Sequence, residues 1–267
     1  MEDVASTSSG SPAILPASEA QRLMYASEST ENFRWAARIL ARHSSHTLTS
    51  SELVSPSLEL ELSELGQFAE LAHGSLSPEF IWKNLTALSQ QDFPLEGYDA
   101  LPGSELVSAF HGTAAHLQGY TAYRPKTKQL ILAFSGTSSF TQTLYNTDMR
   151  MIAYPCKVGC AVHAGFWRMH AGVRHIARVS LENALRSRDV DEVVLTGHSL
   201  GAAMCYLFAL YILDAQDATH LTPLPIPRLK LALFGCPRTG NLALAEHWRE
   251  VSSSVTEHSV RGYNDGE

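Results

Sequence analysis

The sequence predicts an α/β fold in which a mostly parallel central sheet is flanked by helices and preceded by an N-terminal helical region. Three short apolar runs support this prediction: KQLILAF at 128–134, EVVLT at 192–196 and RLKLALF at 228–234. They are separated by segments whose apolar residues recur every three to four positions, which is the period of a helix. Apolar strands that alternate with helices indicate a parallel sheet covered on both faces.

The N-terminal part of the chain is predicted to consist of two regions. Residues 1–17 are rich in Ser and Pro and poor in large apolar residues, so they are predicted to be a disordered tail. Residues 18–114 are predicted to be a helical region, with helices at 18–43, 58–72 and 78–88. In the last of these, Ser77 is placed to cap the helix and Pro78 to occupy its first position.

Residues 115–267 are predicted to form the α/β domain itself. Its first two strands, at 117–123 and 128–134, are joined by the turn sequence RPKT and predict a hairpin-like pair. The elements expected after this pair are helices at 165–186, 200–216 and 241–251 and strands at 192–196, 228–234 and 255–263.

Composition excludes several classes of function. The net charge is −7 and the 20 Lys and Arg are scattered, so a nucleic-acid partner is not expected. The four cysteines form no CxxC pair, and neither a metal nor a cofactor is expected. No apolar stretch reaches the roughly 18 residues of a membrane span. Residues 1–20 contain neither a basic segment nor an apolar stretch typical of a secretory signal, which predicts a cytoplasmic protein and leaves unconventional secretion open.

The sequence GHSLG at Gly197–Gly201 fits the G-x-S-x-G pattern, with a predicted strand before it and a predicted helix after it. A serine on such a sharp turn takes a strained backbone conformation and projects its hydroxyl above the sheet edge. The flanking glycines let the strand and the helix approach each other closely. The helix that begins at Leu200 also directs its partial positive end to this point, where negative charge develops in acyl transfer. Ser199 is therefore predicted to be a nucleophile.

Beyond this motif, the chain resembles the class 3, fungal-type lipases of the α/β-hydrolase superfamily. The matching segments follow the family's order and are LAFSGTSS, VHAGF, VVLTGHSLGAA, LFGCPRTGN and SVRGYNDGE, which together cover about residues 115–267. The resemblance implies a serine carboxylic ester hydrolase, with acylglycerols in lipid metabolism as the first choice of substrate. It also implies a lipid or small ester as the partner, with transient contact at a lipid interface.

The resemblance assigns roles to four residues of this sequence. It implies that Ser199 is the nucleophile and that Asp265 orients the catalytic histidine. Thr137 and the backbone N–H of Leu200 would form the oxyanion hole. Ser135 stands where the family usually has an arginine, which puts a supporting ion pair in doubt. Residues 138–151 lie where the family places its lid, although an ordinary loop is an equal alternative.

The catalytic histidine expected after the aspartate is missing from this sequence, because only Gly266 and Glu267 follow Asp265. The domain is therefore expected to be truncated at its C-terminus and to be much slower than a complete enzyme. The alternatives are a non-catalytic lipase-like protein that binds acyl lipids or a partner, and a short-chain or phenolic esterase. Rates on esters of increasing acyl length would separate the esterase from the lipase.

The other histidines are poor substitutes on sequence grounds. His198 neighbours Ser199 on a tight turn, so its ring should point away from the hydroxyl. His258 precedes Asp265 by seven residues and would lie roughly 20 Å below the sheet edge. His220 follows a long helix and would lie roughly 24 Å from the turn, and the same argument disfavours Asp214 and Asp217 as rivals of Asp265. His163 and His170 are interpreted as structural, although spacing alone excludes neither.

Overall fold

The computed structural model describes residues 53–73, 76–136, 148, 150–217 and 223–261. Within these residues the helices are α1 (Pro56–His73), α2 (Pro78–Lys83), α3 (Leu85–Leu88), α4 (Ala164–Ser187), α5 (Leu200–Asp217) and α6 (Leu242–Val251). The strands are β1 (Glu105–His111), β2 (Gln118–Arg124), β3 (Gln129–Phe134), β4 (Met151–Ala153), β5 (Ala161–His163), β6 (Glu192–His198), β7 (Leu229–Phe234) and β8 (Thr256–Val260). The predicted tail at 1–17 and helix at 18–43 lie outside the described residues.

Six of these strands form one sheet in the order β1-β2-β3-β6-β7-β8. Strands β1, β2 and β3 pair antiparallel, while β3, β6, β7 and β8 run parallel. The predicted α/β class, the parallel sheet and the hairpin pair are therefore confirmed. Phe134 lies opposite Gly197, and His198 lies opposite Phe234. The central parallel strands consequently end together, and their carboxyl edge is where the predicted nucleophile lies.

Helices cover both faces of the sheet. The side chains of each strand alternate between these two faces, so one strand contributes to the core on each side. On β3, Leu130 and Leu132 belong to the core cluster that includes α4 and α5, whereas Ile131 and Ala133 belong to the cluster that includes α1. All four side chains are fully buried. Helix α5 is apolar around most of its circumference since it lies between the sheet, α4 and α6.

Three elements differ from the sequence prediction. Strand β1 lies within the region predicted to be helical; its side chains are mostly half-buried, and among the described strands it pairs with β2 alone at the end of the sheet. Strands β4 and β5 form a two-stranded sheet of three-residue strands, too short to give a recognisable alternation. The helix predicted at 78–88 is two helices that separate at Asn84. The predicted cap is confirmed, because Ser77 Oγ accepts a hydrogen bond from the N–H of Phe80.

A buried Asp–His pair joins α5 to α6. Asp214 Oδ1 lies 2.9 Å from His247 Nε2, and the other oxygen of the carboxylate accepts a hydrogen bond from the hydroxyl of Tyr154. Asp214 is 15 residues beyond Ser199 along α5, a separation of roughly 22 Å at ~1.5 Å per residue. The pair is therefore a structural connection between helices, far from the candidate nucleophile.

Substituting Asp214 with alanine should lower the free energy of unfolding by about 3 kcal/mol, because two buried donors lose their acceptor. Urea denaturation measures this loss. Asp191, whose side chain is exposed, provides the control, and Asp191→Ala should change stability by less than about 0.5 kcal/mol. Equal effects of the two substitutions would show that the buried network does not stabilise the fold.

All four cysteines are free, and Cys160 and Cys205 are buried. Burial raises the pKa of the Cys205 thiol well above its usual range. In the described part of the chain, no helix combines the length and hydropathy needed to cross a bilayer.

Candidate active site

Ser199 lies at the sharp turn between β6 and α5. Its φ is 53°, in the left-handed region that non-glycine residues rarely adopt. The backbone N–H of Ser199 donates to the carbonyl of Phe234 at 2.8 Å, so the end of β7 holds the turn in place. The residue is half-buried and not enclosed in the core. The strained turn predicted from the sequence is present.

The two glycines of the motif are required by close backbone packing. A Cβ at Gly197 would lie 2.5 Å from the carbonyl carbon of Gly201. A Cβ at Gly201 would lie 2.2 Å from the carbonyl oxygen of Phe134 on β3. Neither backbone atom can move without disturbing a central strand or the first turn of α5. The glycines thus allow β3, β6 and α5 to meet at the position of Ser199.

Replacing Ser199 with glycine should raise the free energy of unfolding by about 1 kcal/mol relative to Ser199→Ala, because only glycine adopts this backbone conformation without strain. Both substitutions remove the hydroxyl, so the comparison isolates the backbone. Chemical denaturation of the two variants measures the difference. If Ser199→Gly is no more stable than Ser199→Ala, the turn is not strained.

The candidate oxyanion hole is only partly described. Leu200 is the first residue of α5, where backbone N–H groups have no acceptor within the helix. On the opposite side, a Cβ at Gly136 would lie 3.1 Å from the carbonyl oxygen of His198, so the end of the β3 segment reaches the turn. Thr137 follows Gly136 but lies outside the described residues, as do Asp265 and most of the predicted lid at 138–151.

Ser135, where the family resemblance led us to expect an arginine, is buried in this structure. Its Oγ accepts a hydrogen bond from the N–H of Gln118 at 3.2 Å, and its own N–H donates to the Gln118 carbonyl at 2.9 Å. The serine therefore extends the β2–β3 contact beyond the ladder. This contact positions the segment that leads to Thr137 without an ion pair at this position.

Two of the histidines considered from the sequence have structural surroundings. His163 caps α4, since its Nδ1 accepts from the N–H of Phe166 at 3.3 Å, and its ring stacks on the Phe166 ring at 4.0 Å. His170 is fully buried within α4. Burial, together with the charge of Arg174, lowers the pKa of His170 to about 3. A histidine this far from its usual pKa is neutral at physiological pH.

The other two described histidines considered as bases, His198 and His258, lie on strands of the central sheet. The ring of His198 lies 6.4 Å from the ring of His73 on α1, so it is directed toward the α1 face as expected. His258 pairs with Ala232, which in turn pairs with Thr196. His258 is therefore only three residues below Ser199, roughly 10 Å, and the predicted depth of 20 Å is wrong. The difference arises because β8 ends at Val260, before the chain reaches Asp265.

One neighbour of the turn could not be anticipated from the sequence. The Nδ1 of His73, in the last turn of α1, lies 2.7 Å from the position that a Cβ would take at Gly136. His73 is 126 residues before Ser199 in the chain. Only the packing of α1 across the sheet brings it to this edge, and no local pattern in the sequence indicates that packing.

Solved structures share this architecture. The lipase from Rhizopus microsporus var. chinensis superimposes with a TM-score of 0.61 at 22% identity, over 80% of this chain and 70% of that chain. A triacylglycerol lipase described as having a serine protease triad as its catalytic centre gives a TM-score of 0.61 at 20% identity, over 77% and 72% of the two chains. These likenesses show that the chain has the α/β-hydrolase fold.

Sequence comparison identifies the family within that class. The family described as "Lipase (class 3)" matches residues 131–265, about half of the chain. The lipase of Rhizopus niveus is 28% identical over 145 residues, which are 54% of this chain and 36% of that protein. The secreted mono- and diacylglycerol lipase A of Penicillium cyclopium is 30% identical over 135 residues, 51% of this chain and 41% of that protein. The chain belongs to the class 3 lipase family and aligns with less than half the length of these relatives.

The comparison contradicts the predicted cytoplasmic location. The Penicillium relatives are secreted proteins by name, and this finding points to an extracellular protein. The cytoplasmic prediction was wrong because it relied on the composition of residues 1–20 alone.

Proposed function

We propose that this protein is a serine carboxylic ester hydrolase that acts on acylglycerols, with Ser199 as its nucleophile. The observation that carries the proposal is the Ser199 turn, where φ is 53° and glycines are required on both sides. Membership of the class 3 lipase family and the names of the fungal relatives support acylglycerols as substrates. The runner-up is a short-chain or phenolic esterase that uses the same turn.

The proposed chemistry assigns each group one task. Ser199 Oγ attacks the ester carbonyl and gives its proton to a histidine base, which Asp265 orients. The N–H of Leu200 and a donor from Thr137 stabilise the oxyanion that forms. The base then returns the proton to the departing alcohol, and water attacks the acyl-enzyme in the same way. The products are a fatty acid and an alcohol, and the regenerated serine carries its proton.

We further propose that His163, His170, His198 and His258 do not supply this base. His163 uses Nδ1 as a helix cap, and His170 is enclosed in the core. His198 is directed toward His73, and His258 lies below the sheet edge on a strand two positions from β6. Without a histidine base, the oxyanion donors and substrate binding alone would make hydrolysis several orders of magnitude slower than with a complete triad.

Transient contact with a lipid surface is part of the proposal. Val158, in the turn between β4 and β5, is fully exposed, and Leu242 at the start of α6 is 67% exposed. The two side chains lie on neighbouring segments, because the Asn241 amide donates to the carbonyl of Gly159. Moving two adjacent, exposed apolar side chains from water into a lipid interface lowers the free energy and so favours binding to the interface.

Reaction with alkyl fluorophosphonates tests the proposed function, because these probes phosphonylate an activated serine. We expect one adduct per chain, formed slowly because none of the four histidines above serves as the base, and formed faster as the alkyl group lengthens from ethyl to dodecyl. Ser199→Ala should abolish it, whereas Ser187→Ala, which removes an exposed serine at the end of α4, should have no effect. A preference for the shortest probe would favour the short-chain esterase. A folded protein that forms no Ser199 adduct even after prolonged exposure to the probe would exclude the hydrolase.

A further inference from the structure

One motif of the sequence has no part in the chemistry proposed above. Asn84-Leu85-Thr86 fits the pattern N-x-[ST] with a residue other than proline in the middle, which is the acceptor signal for N-linked glycosylation. No other asparagine of the sequence is followed two positions later by serine or threonine. Such a signal is used only in proteins that enter the secretory pathway. The secreted Penicillium relatives point to that route for this chain, so the motif has a use.

The motif lies at the surface, at the junction of two short helices. Helix α2 ends at Lys83 and α3 begins at Leu85, so Asn84 lies between them. Asn84 is half-buried and Thr86 is exposed. None of the four residues of α3 is fully buried. Because glycans are bulky and hydrophilic, they require a surface position of this kind, where no core side chain has to move.

The acceptor nitrogen of Asn84 is oriented by the end of α2. Its Nδ2 donates a hydrogen bond to the carbonyl oxygen of Phe80 at 2.8 Å, and this contact is exposed to solvent. A carboxamide NH₂ group carries two hydrogens, and attachment of a sugar replaces only one of them. The modified side chain keeps one N–H, so it still has a donor for the end of α2.

We propose that Asn84 carries an N-linked glycan in the secreted protein. The glycosyl donor is an oligosaccharide attached to a polyprenyl pyrophosphate. The Asn84 nitrogen forms a bond to the anomeric carbon of the first sugar, and the bond from that carbon to the pyrophosphate oxygen breaks. The pyrophosphate leaves with the electron pair of the broken bond, and the amide nitrogen loses one proton. This proposal does not depend on Ser199 or on any step of ester hydrolysis.

The position of the glycan is compatible with the lipid contact proposed above. Trp82 of α2 donates from Nε1 to the hydroxyl of Ser104, immediately before β1, so the glycan lies at the β1 edge of the sheet. Trp248 of α6 donates from Nε1 to the Glu257 carboxylate on β8, so α6 lies at the opposite edge. A glycan keeps lipid away from the surface around it. At the β1 edge it leaves the exposed apolar side chain at the start of α6 free.

Production of the whole chain in the secretory pathway of a eukaryotic host, with an added cleavable export signal, tests this proposal. Peptide N-glycosidase releases N-linked glycans and converts the acceptor asparagine to aspartate, which mass spectrometry of the peptide detects. We expect one glycan on most chains, attached at Asn84, and a single mobility shift when it is released. Chains retained inside the host are scored in the same way, because attachment precedes export.

Four variants identify the acceptor. Asn84→Gln and Thr86→Ala should each abolish the mobility shift, since the first removes the acceptor and the second only the hydroxyl of the signal. Thr86→Ser keeps the hydroxyl and should retain the shift. Asn183→Gln changes an exposed asparagine of α4 that lies outside any such motif, and it should have no effect. Thermal midpoints establish that the variants are folded.

The outcomes separate this proposal from the hydrolase. Folded wild-type protein from the secretory pathway with an unmodified Asn84 would overturn the glycan, even if Ser199 reacts with fluorophosphonate. A shift that persists in Thr86→Ala would also overturn it, because the sugar would then be attached without the acceptor signal. A glycan on Asn84 without a Ser199 adduct would instead retain the modification and reject the hydrolase.

Discussion

Gly201→Ala is expected to destabilise the protein by about 3 kcal/mol and to displace the Ser199 hydroxyl. The added Cβ would lie 2.2 Å from the carbonyl oxygen of Phe134 and 3.0 Å from its carbonyl carbon. Phe134 ends a central strand and is fully buried, so its backbone has no space to retreat. Helix α5 must therefore move away from the sheet, taking the first turn and the Leu200 N–H with it. Urea denaturation and the rate of fluorophosphonate labelling measure the two effects.

Gly66→Ala is the matched control for this substitution. Gly66 also lies in a helix that packs on the sheet, but its Cβ would only make ordinary contact with the Phe234 ring at 3.5 Å. Because alanine favours a helix interior over glycine, stability should rise by up to about 1 kcal/mol. If Gly201→Ala were tolerated as well as Gly66→Ala, the close approach of α5 to β3 would be wrong.

The second large effect is a loss of stability in acid that depends on His170. Its ring is fully buried, 5.4 Å from the Trp167 ring and 5.9 Å from the Tyr211 ring. Neither ring nitrogen has a hydrogen-bond partner among the described residues. Burial, and secondarily the charge of Arg174, lowers the pKa of His170 to about 3 in the folded protein from 6.5.

The sign of the effect follows from proton binding. Between pH 6.5 and pH 3 the unfolded chain binds a proton at His170 that the folded chain does not bind, so stability falls as the pH falls through this range. At pH 4.5 this residue should contribute a loss of roughly 2 to 3 kcal/mol relative to pH 7.5. His170→Leu should remove that loss and should be at least as stable as the wild type at neutral pH, since it fills the site with an apolar group.

Denaturation midpoints between pH 7.5 and pH 4.5 measure this difference. His175→Leu changes an exposed histidine on the same helix and should keep the acid loss of the wild type. If the denaturation midpoints of the wild type and of His170→Leu fall equally between pH 7.5 and pH 4.5, His170 is not held neutral in the core.

The features predicted from the sequence are those encoded by local patterns. The strand before Gly197, the helix after Ser199 and the glycines between them are set by a few adjacent residues, and the structure has them. Strand β1 was not predicted because an edge strand with half-buried side chains shows little alternation. The same holds for β4 and β5, which are three residues each.

The surroundings of the candidate site depend on contacts between distant segments. His73 and Glu70 reach the sheet edge only through the packing of α1, and Asp214 meets His247 only because α5 and α6 are neighbours. From the sequence, Asp214 can be assessed only as a rival of Asp265, by its distance along α5. The residue types at those positions do not indicate which distant residues they contact in the folded protein. Thr137 and Asp265 remain predictions of the family resemblance.

The most direct test of the account is a crystal structure of the protein after reaction with an alkyl fluorophosphonate. We predict a phosphorus atom bonded to Ser199 Oγ, with a phosphonyl oxygen about 2.7–3.1 Å from the N–H of Leu200 and from a donor of Thr137. An adduct on another serine, or a phosphonyl oxygen that faces solvent with Thr137 remote from it, would contradict the account.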